Sequence, residues 1–255
     1  MLALFRAEFL KLRSTRTALG LLIAALVVSV VPAILVMALV DKAALLEGGT
    51  IFAALGLTMV PILTLVFGIL GMTNEYRHGT ITYTYLTTPR RSLVIVVKLF
   101  SYGLVGAAVM AVTGLLVVAA MGAVAAIRGF SIMDMEGFEA SSLGTLGSVA
   151  LYIATVGLMT AFGVALGALL RAQVPTVAGT LIWALFIEGI VVAFKPGVGK
   201  YLPFEVFSQL TIGPESDTMS EVVQLTRPEA FALSLVYIGV VSLAAVYLSM
   251  RRDVT

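Results

Sequence analysis

Six long apolar runs constrain this chain more than any other feature of its sequence. They cover residues 18–40, 51–73, 99–127, 148–170, 176–194 and 230–250, and only the fifth contains a charged residue, Glu188. Each is about as long as the roughly 20 residues that a helix needs to cross the hydrocarbon core of a bilayer. Since unpaired backbone groups are costly in lipid, each run is predicted to form a helix. The predicted fold class is an all-α membrane protein with six transmembrane helices.

The composition leaves no room for a second kind of domain. Of the 255 residues, 60% are apolar and 12% are charged. Soluble domains contain about 25% charged residues. We therefore expect residues 1–255 to form a single transmembrane domain.

The basic residues predict the orientation, because Lys and Arg are enriched in cytoplasmic loops. With six crossings, eleven of them fall on the side of both termini and five on the other side. The eleven are Arg6, Lys11, Arg13, Arg16, Arg77, Arg90, Arg91, Lys98, Arg171, Arg251 and Arg252. Both termini are therefore expected in the cytosol. The abundance of Ala, Val and Gly, and of Arg over Lys, suggests a GC-rich bacterial source and a multi-pass protein of the bacterial inner (cytoplasmic) membrane.

The segment before the first run has an amphipathic pattern. Leu2, Phe5, Phe9 and Leu12 fall on one side of a helical wheel, with the basic residues outside that sector. This pattern predicts an interfacial helix on the cytosolic face. The alternative is a basic extension that only sets the topology.

The stretch between the second and third runs, residues 74–98, is polar for too short a distance to form a domain. Gly79 and Thr80 predict a turn whose hydroxyl caps a short helix, and Pro89 ends that helix. The helix would expose Ile81, Tyr83, Tyr85 and Leu86 to the cytosol. Arg90, Arg91 and Lys98 would follow at the membrane surface, where either membrane anchoring or docking on a partner is expected. The exposed side chains suit either a partner's groove or an interfacial turn that faces lipid.

Catalytic groups are scarce. The chain has one His and no Cys, which excludes a thiolate site and a zinc site made from several histidines. No metal site and no cofactor of its own are predicted. The sequence Gly197-Val198-Gly199-Lys200 lacks the first Gly and the Ser or Thr of a phosphate-binding loop. We therefore do not expect an enzyme.

Glu188 is the one charged residue well inside a run, and an acid in lipid needs a partner or water. Three interpretations stay open: a substrate cavity or proton relay, a structural hydrogen bond to a neighbouring helix, or an interfacial position. A cavity or outer gate would also include Trp183, Phe204 and Phe207. Tyr201, Phe204, Phe207 and Leu210 recur every three residues, which suits a short helix in the long outer segment. An irregular loop broken by Pro196, Pro203 and Pro214 is the equal alternative.

Glycine pairs mark thin helix faces. They are Gly68 with Gly71, Gly103 with Gly106, and Gly163 with Gly167. Small residues at such spacing let helix backbones approach closely in membranes. We predict close helix packing at these positions.

The polar stretch resembles a known family. Glu75, Gly79-Thr80, Leu86 and Pro89, followed by a basic pair and by Lys98, resemble the cytoplasmic loop of the type-2 permeases of ATP-binding cassette (ABC) exporters. The order of an amphipathic N-terminal helix, six spans, this loop and a long outer segment before the last span is similar too. The likeness in order covers the whole chain, whereas the likeness in motif covers about 25 residues.

The resemblance implies a set of roles. Residues 80–88 would carry a coupling helix that docks on a cytosolic ATPase, with Glu75 just before it, and Phe5 and Phe9 would lie on a connecting helix. Residues 200–221 would form short re-entrant outer helices. The complex would contain two ATPase subunits that bind ATP and Mg and a second permease, either another copy or a related chain, and it would export a hydrophobic or amphipathic substrate. Membrane lipid is an expected partner and nucleic acid is not.

Two other functions compete with the exporter. The first is a secondary transporter driven by an ion gradient, with Glu188 as the coupling acid. The second is a membrane-embedded enzyme, which the lack of catalytic groups disfavours.

Overall fold

The fold consists of helices throughout the described part of the chain. A computed structural model describes residues 2–47, 57–88, 90–135, 144–212 and 224–251. Six helices in these ranges are long and apolar enough to cross a membrane. The prediction of an all-α, multi-pass membrane protein is confirmed at this level.

Twelve helices are present in the described ranges. They are α1 (Leu2–Ser14), α2 (Arg16–Leu39), α3 (42–47), α4 (Met59–Arg77), α5 (Ile81–Thr87), α6 (Arg91–Ile127), α7 (Gly144–Leu170), α8 (Gln173–Ile182), α9 (Glu188–Phe194), α10 (Pro196–Gly199), α11 (Pro203–Ile212) and α12 (Arg227–Arg251). A π-helical turn, Trp183–Ile187, joins α8 to α9, so that Gln173–Phe194 forms the fifth span. A 3-10 turn, Ile132–Asp134, follows α6.

Helix α7 lies at the centre of the bundle. It packs against α4, α6, α11 and α12, whereas α2 packs on α4 and α6 at one side. The fifth and sixth spans leave most of their surface exposed, as helices that face lipid do. Helix α1, the end of α4, α5 and the start of α6 meet at one end of the bundle, which we call the α1 end. Helix α11 lies at the other end.

The glycine pairs are sites of close packing, as predicted. A Cβ added to Gly68 would lie 2.2 Å from the carbonyl oxygen of Thr160, and one added to Gly163 would lie 2.4 Å from that of Leu65. Gly167 faces α4 in the same way, and Gly103 and Gly106 face α7. The absence of side chains at these positions lets three helix backbones meet at the centre of the bundle.

Two helices are longer than the apolar runs they contain. Helix α4 continues past Thr73 to Arg77, and α6 begins at Arg91, before Leu99. Hydropathy ended both runs where charged residues begin, but Glu75 and Lys98 are paired inside the structure and are tolerated within the helices. The predicted start at Ile51, and Pro89, lie outside the described residues.

Two contacts at the other end of the bundle tie loops to the spans. Arg128 donates from Nη1 to the carbonyl oxygens of Met37 and Val40, both at 2.7 Å, at the C-terminal end of α2. These carbonyls have no partner within their helix, and a cation there also complements the helix dipole.

The predicted short helix in the long outer segment is present as α11. Residues 213–223 of that segment lie outside the described part.

Candidate functional site

Four charged side chains meet at the α1 end. Lys98 of α6 donates to Glu8 Oε2 at 2.7 Å and to Glu75 Oε1 at 2.8 Å. Lys11 of α1 donates to Glu8 Oε1 at 3.0 Å and to the same oxygen of Glu75 at 2.8 Å. Lys98 also donates to the carbonyl oxygen of Gly71 at 3.3 Å. The four residues, which we call the ion cluster, connect α1, α4 and α6.

The ion cluster is neutral and largely buried. Lys98 is completely buried and Glu8 is 2% exposed, so these two charges depend on their partners instead of on water, whereas the Lys11 side chain is 44% exposed. The Tyr102 ring lies under the ammonium of Lys98, with 5.6 Å from Nζ to its centroid. Burial alone would lower the pKa of Lys11, but its hydrogen bond to Glu75 and the two carboxylates hold that pKa above its ordinary value.

Glu8 is the functional residue that sequence reasoning missed. The sequence does contain a signal for it, because Glu8 follows Phe5 by three positions and precedes Leu12 by four, which places it on the apolar face of α1. In the structure Glu8 and Leu12 are the buried residues of this face, whereas Phe5 is half-buried and Phe9 is 42% exposed. The buried face of α1 thus carries a charge, and only part of the predicted apolar stripe is covered.

Two charged residues of the 74–98 stretch lie inside the protein. Glu75 is 8% exposed and lies in the last turn of α4. Lys98 lies two turns inside α6 and is completely buried. The two side chains are tolerated there because each neutralises the other.

Helix α5 has an inner face that holds it on the bundle. Ile81 is 1% exposed and packs in the apolar core with Leu12, Phe67 and Ile95. One turn later, the hydroxyl of Tyr85 lies 3.3 Å from that of Tyr76. The expectation that Ile81 is exposed was wrong. Ile81 and Tyr85 are four positions apart and share one face of α5, and this face packs against the bundle.

The tyrosine pair Tyr76 and Tyr85 has a cation over each ring. The guanidinium of Arg91 lies 5.1 Å from the centroid of the Tyr85 ring, and that of Arg171 lies 5.3 Å from the Tyr76 ring. Arg91 also donates to the carbonyl oxygen of Ser249 in the last turn of α12. Burial raises the pKa of Tyr85, and the hydrogen bond to Tyr76 adds to this, so its hydroxyl stays protonated.

The outer face of α5 presents two large side chains. Tyr83 is 73% exposed and Leu86 is 75% exposed. Gly79 precedes the helix with a φ of +66°, which glycine adopts at little cost. Thr80 is the N-cap residue but makes no side-chain cap; its hydroxyl points instead at the carbonyl oxygen of Glu75 at 3.4 Å. Arg90 is exposed beside α5, at the N-cap of α6.

Glu188, at the other end of the bundle, is surrounded by donors from this chain. Its Oε1 accepts from Trp183 Nε1 at 2.7 Å and from the backbone N–H of Phe204 at 3.2 Å. Its Oε2 accepts from the N–H of Glu205 at 2.9 Å. These two N–H groups are in the first turn of α11, where Pro203 supplies none, so the carboxylate caps a helix N-terminus. The geometry favours the structural interpretation among the three left open.

The aromatic residues grouped with Glu188 are packed. Phe204 and Phe207 contact Phe162 of α7, with ring centroids 5.9 and 5.6 Å apart. Phe207 is 2% exposed, so it fills the core between α7 and α11. Trp183 is 40% exposed and its indole N–H is used by Glu188. In a π turn, residues five apart in sequence lie on the same side of the helix, and this brings the indole of Trp183 to the carboxylate of Glu188.

Replacing Glu188 by Gln is expected to lower the free energy of unfolding by about 1–3 kcal/mol. An amide keeps one acceptor oxygen, and its NH₂ group would face an N–H of α11 that is left without a partner. Because Trp183 is the only Trp in the chain, its fluorescence reports on this site. The emission of the folded variant should shift, and chemical unfolding followed by that emission should give the lower stability.

Glu47→Gln is the matched control, since Glu47 is an exposed acid on α3. It should change neither the emission nor the unfolding midpoint. Equal stability of the Glu188→Gln variant and the control would contradict a capping role.

The described ranges contain no group of three or more His, Cys, Asp or Glu side chains placed to hold a metal ion. In comparisons with known proteins, no family model matches the chain and no curated protein matches it. A functional assignment therefore depends on the geometry at the α1 end together with the sequence.

Proposed function

We propose that this chain is the membrane permease subunit of an ABC exporter, with its α1 end in the cytosol and an ATPase subunit docked there. Helix α5 would be the coupling helix and α1 the connecting helix. Two copies, or one copy and a related chain, would enclose a path for a hydrophobic or amphipathic substrate, and two ATPases would bind ATP and Mg. Helix α11 would belong to the outer segment.

The observation that carries the proposal is the two-faced character of α5. Its inner face is fixed to the bundle through Ile81 and Tyr85, whereas Tyr83 and Leu86 project from the outer face. A helix of seven residues gains little stability from its own backbone. A partner that buried these two side chains would explain why they are exposed at the α1 end, since aromatic anchors dominate many interfaces.

The contacts around α5 support force transmission from a docked partner to the spans. Tyr85 contacts Arg91 of α6 and Tyr76 of α4, and Arg91 reaches the last turn of α12. The ion cluster joins the same α4 and α6 to α1. A movement of α5 would therefore be shared by three spans, as rigid-body gating requires.

The ion-gradient transporter has less support. All three hydrogen bonds of Glu188 come from this chain, and its carboxylate caps α11. A coupling acid must exchange protons or ions with a water-filled path during each cycle.

The test is retention of an ATPase subunit by variants of the outer face of α5. We expect the complex purified from native membranes to contain a subunit with a phosphate-binding loop and to hydrolyse ATP. Leu86→Ala and Tyr83→Ala should each weaken retention about tenfold or more, because hot-spot truncations cost about 2 kcal/mol.

Ile127→Ala is the control for Leu86→Ala, because Ile127 is an aliphatic residue that is 85% exposed at the opposite end of α6. It should retain the ATPase at the wild-type level. Equal retention in all three variants, or a purified complex without such a subunit, would refute the proposal.

A further inference from the structure

A pocket opens at the α1 end beside the ion cluster, between α1, α2 and α4. Its volume is about 450 Å³, within the range of small-molecule sites. The polar part of its wall includes Arg77, His78, Asn74 and Thr17. These side chains offer several hydrogen-bond donors to a ligand.

The rest of the wall includes apolar side chains. They are Leu12 of α1, Leu21 of α2, and Phe67 and Leu70 of α4, which precede Asn74 and Arg77 along the same helix. The pocket thus combines a polar rim with an apolar interior, and it lies at the end of two helices long enough to span a bilayer. A ligand that satisfies both parts must carry a polar head and a hydrocarbon chain.

The charges of the wall determine the sign of that head. Lys11 and Glu75 also line the pocket, but both belong to the ion cluster, in which two lysines balance two glutamates. Arg77 remains, and its Nη1 donates at 2.8 Å to the neutral amide oxygen of Gln173. Within the described residues no carboxylate lies in ion-pair distance of Arg77, so the rim carries a net positive charge.

We propose that this pocket binds an anionic phospholipid, with the phosphate at Arg77 and an acyl chain along Leu21 and Leu70, which are both partly exposed in the pocket wall. Arg forms strong charge-assisted hydrogen bonds with phosphate, and basic pockets between spans bind lipid headgroups. The proposal does not depend on the exporter assignment. The same phosphate chemistry could be supplied by a free anion, which has no chain for the apolar wall.

The experiment measures thermal unfolding of the purified full chain in detergent with added phosphatidylglycerol, phosphatidylcholine or inorganic phosphate. Phosphatidylglycerol should raise the melting temperature at a concentration at least tenfold below that of phosphatidylcholine, and inorganic phosphate should have no effect. Arg77→Gln should raise the phosphatidylglycerol concentration needed about tenfold, the loss of one charge-assisted contact.

Arg90→Gln is the matched control, since Arg90 is exposed at the same end but outside the pocket. It should respond to phosphatidylglycerol as the wild type does. Equal effects of the two phospholipids, protection by inorganic phosphate alone, or an unchanged response in Arg77→Gln would each overturn the proposal. Because Arg77 is exposed, its substitution leaves the core intact.

Discussion

Replacing Lys98 by Met is expected to lower the free energy of unfolding by about 3–5 kcal/mol. Lys98 is completely buried and pairs with both Glu8 and Glu75. Its loss leaves two carboxylates in the cluster with only Lys11 between them, and an uncompensated buried charge is strongly destabilising. Reversible unfolding of the purified chain in mixed micelles measures the change.

Two further variants separate the charge effect from the change in shape. Lys195→Met removes an exposed lysine and should leave the unfolding midpoint unchanged. In the Lys98→Met/Glu8→Gln double variant one of the orphaned charges is gone, so it should be more stable than Lys98→Met alone. A double variant that is less stable than the single one would contradict the electrostatic explanation.

Replacing Gly163 by Val is expected to cost about 3 kcal/mol, the upper part of the usual range for overpacking. The first added atom would lie 2.4 Å from the carbonyl oxygen of Leu65 and 3.3 Å from the backbone nitrogen of Ile69. Backbone cannot rotate away as a side chain does, so α4 and α7 would have to separate. The melting temperature of the purified chain and the yield of folded protein should both fall.

Gly239→Val is the control, because nothing lies within 4 Å of a Cβ added to Gly239 in α12. The two substitutions change the intrinsic helix preference in the same way. If both variants melted at the same temperature, close packing at Gly163 would not be the reason for its lack of a side chain.

The features that could be predicted from the sequence are those that depend on residues close together in the chain. The Gly79 turn, a short helix after it and the close-packed glycines each depend on residues near one another in sequence or on a residue type with one physical use. The two faces of α5 were not separated, although the spacing of Ile81 and Tyr85 indicates a common face. Hydropathy did not show that α4 runs beyond its apolar run or that α6 begins before its own, because it treats every charge as exposed.

The partners of the charged residues could not be predicted in the same way. Glu8 and Lys98 are 90 positions apart, and Lys11 and Glu75 are 64 apart. Glu188 could equally have faced a cavity, a helix or the interface until α11 was seen to begin beside it. A pattern of neighbouring residues cannot predict pairs so far apart in sequence, because a buried ion pair depends on where two helices cross.

The six apolar helices long enough to span a membrane follow from the amino-acid sequence, because in lipid a helix is the simple way for one segment to satisfy its backbone hydrogen bonds. Which charges lie inside the protein depends on how these helices pack. Glu8, Glu75 and Lys98 are acceptable in the bundle because three helices bring them together, and Glu188 because α11 offers it two N–H groups. Burying a charge requires a partner, and the partner is supplied by the fold.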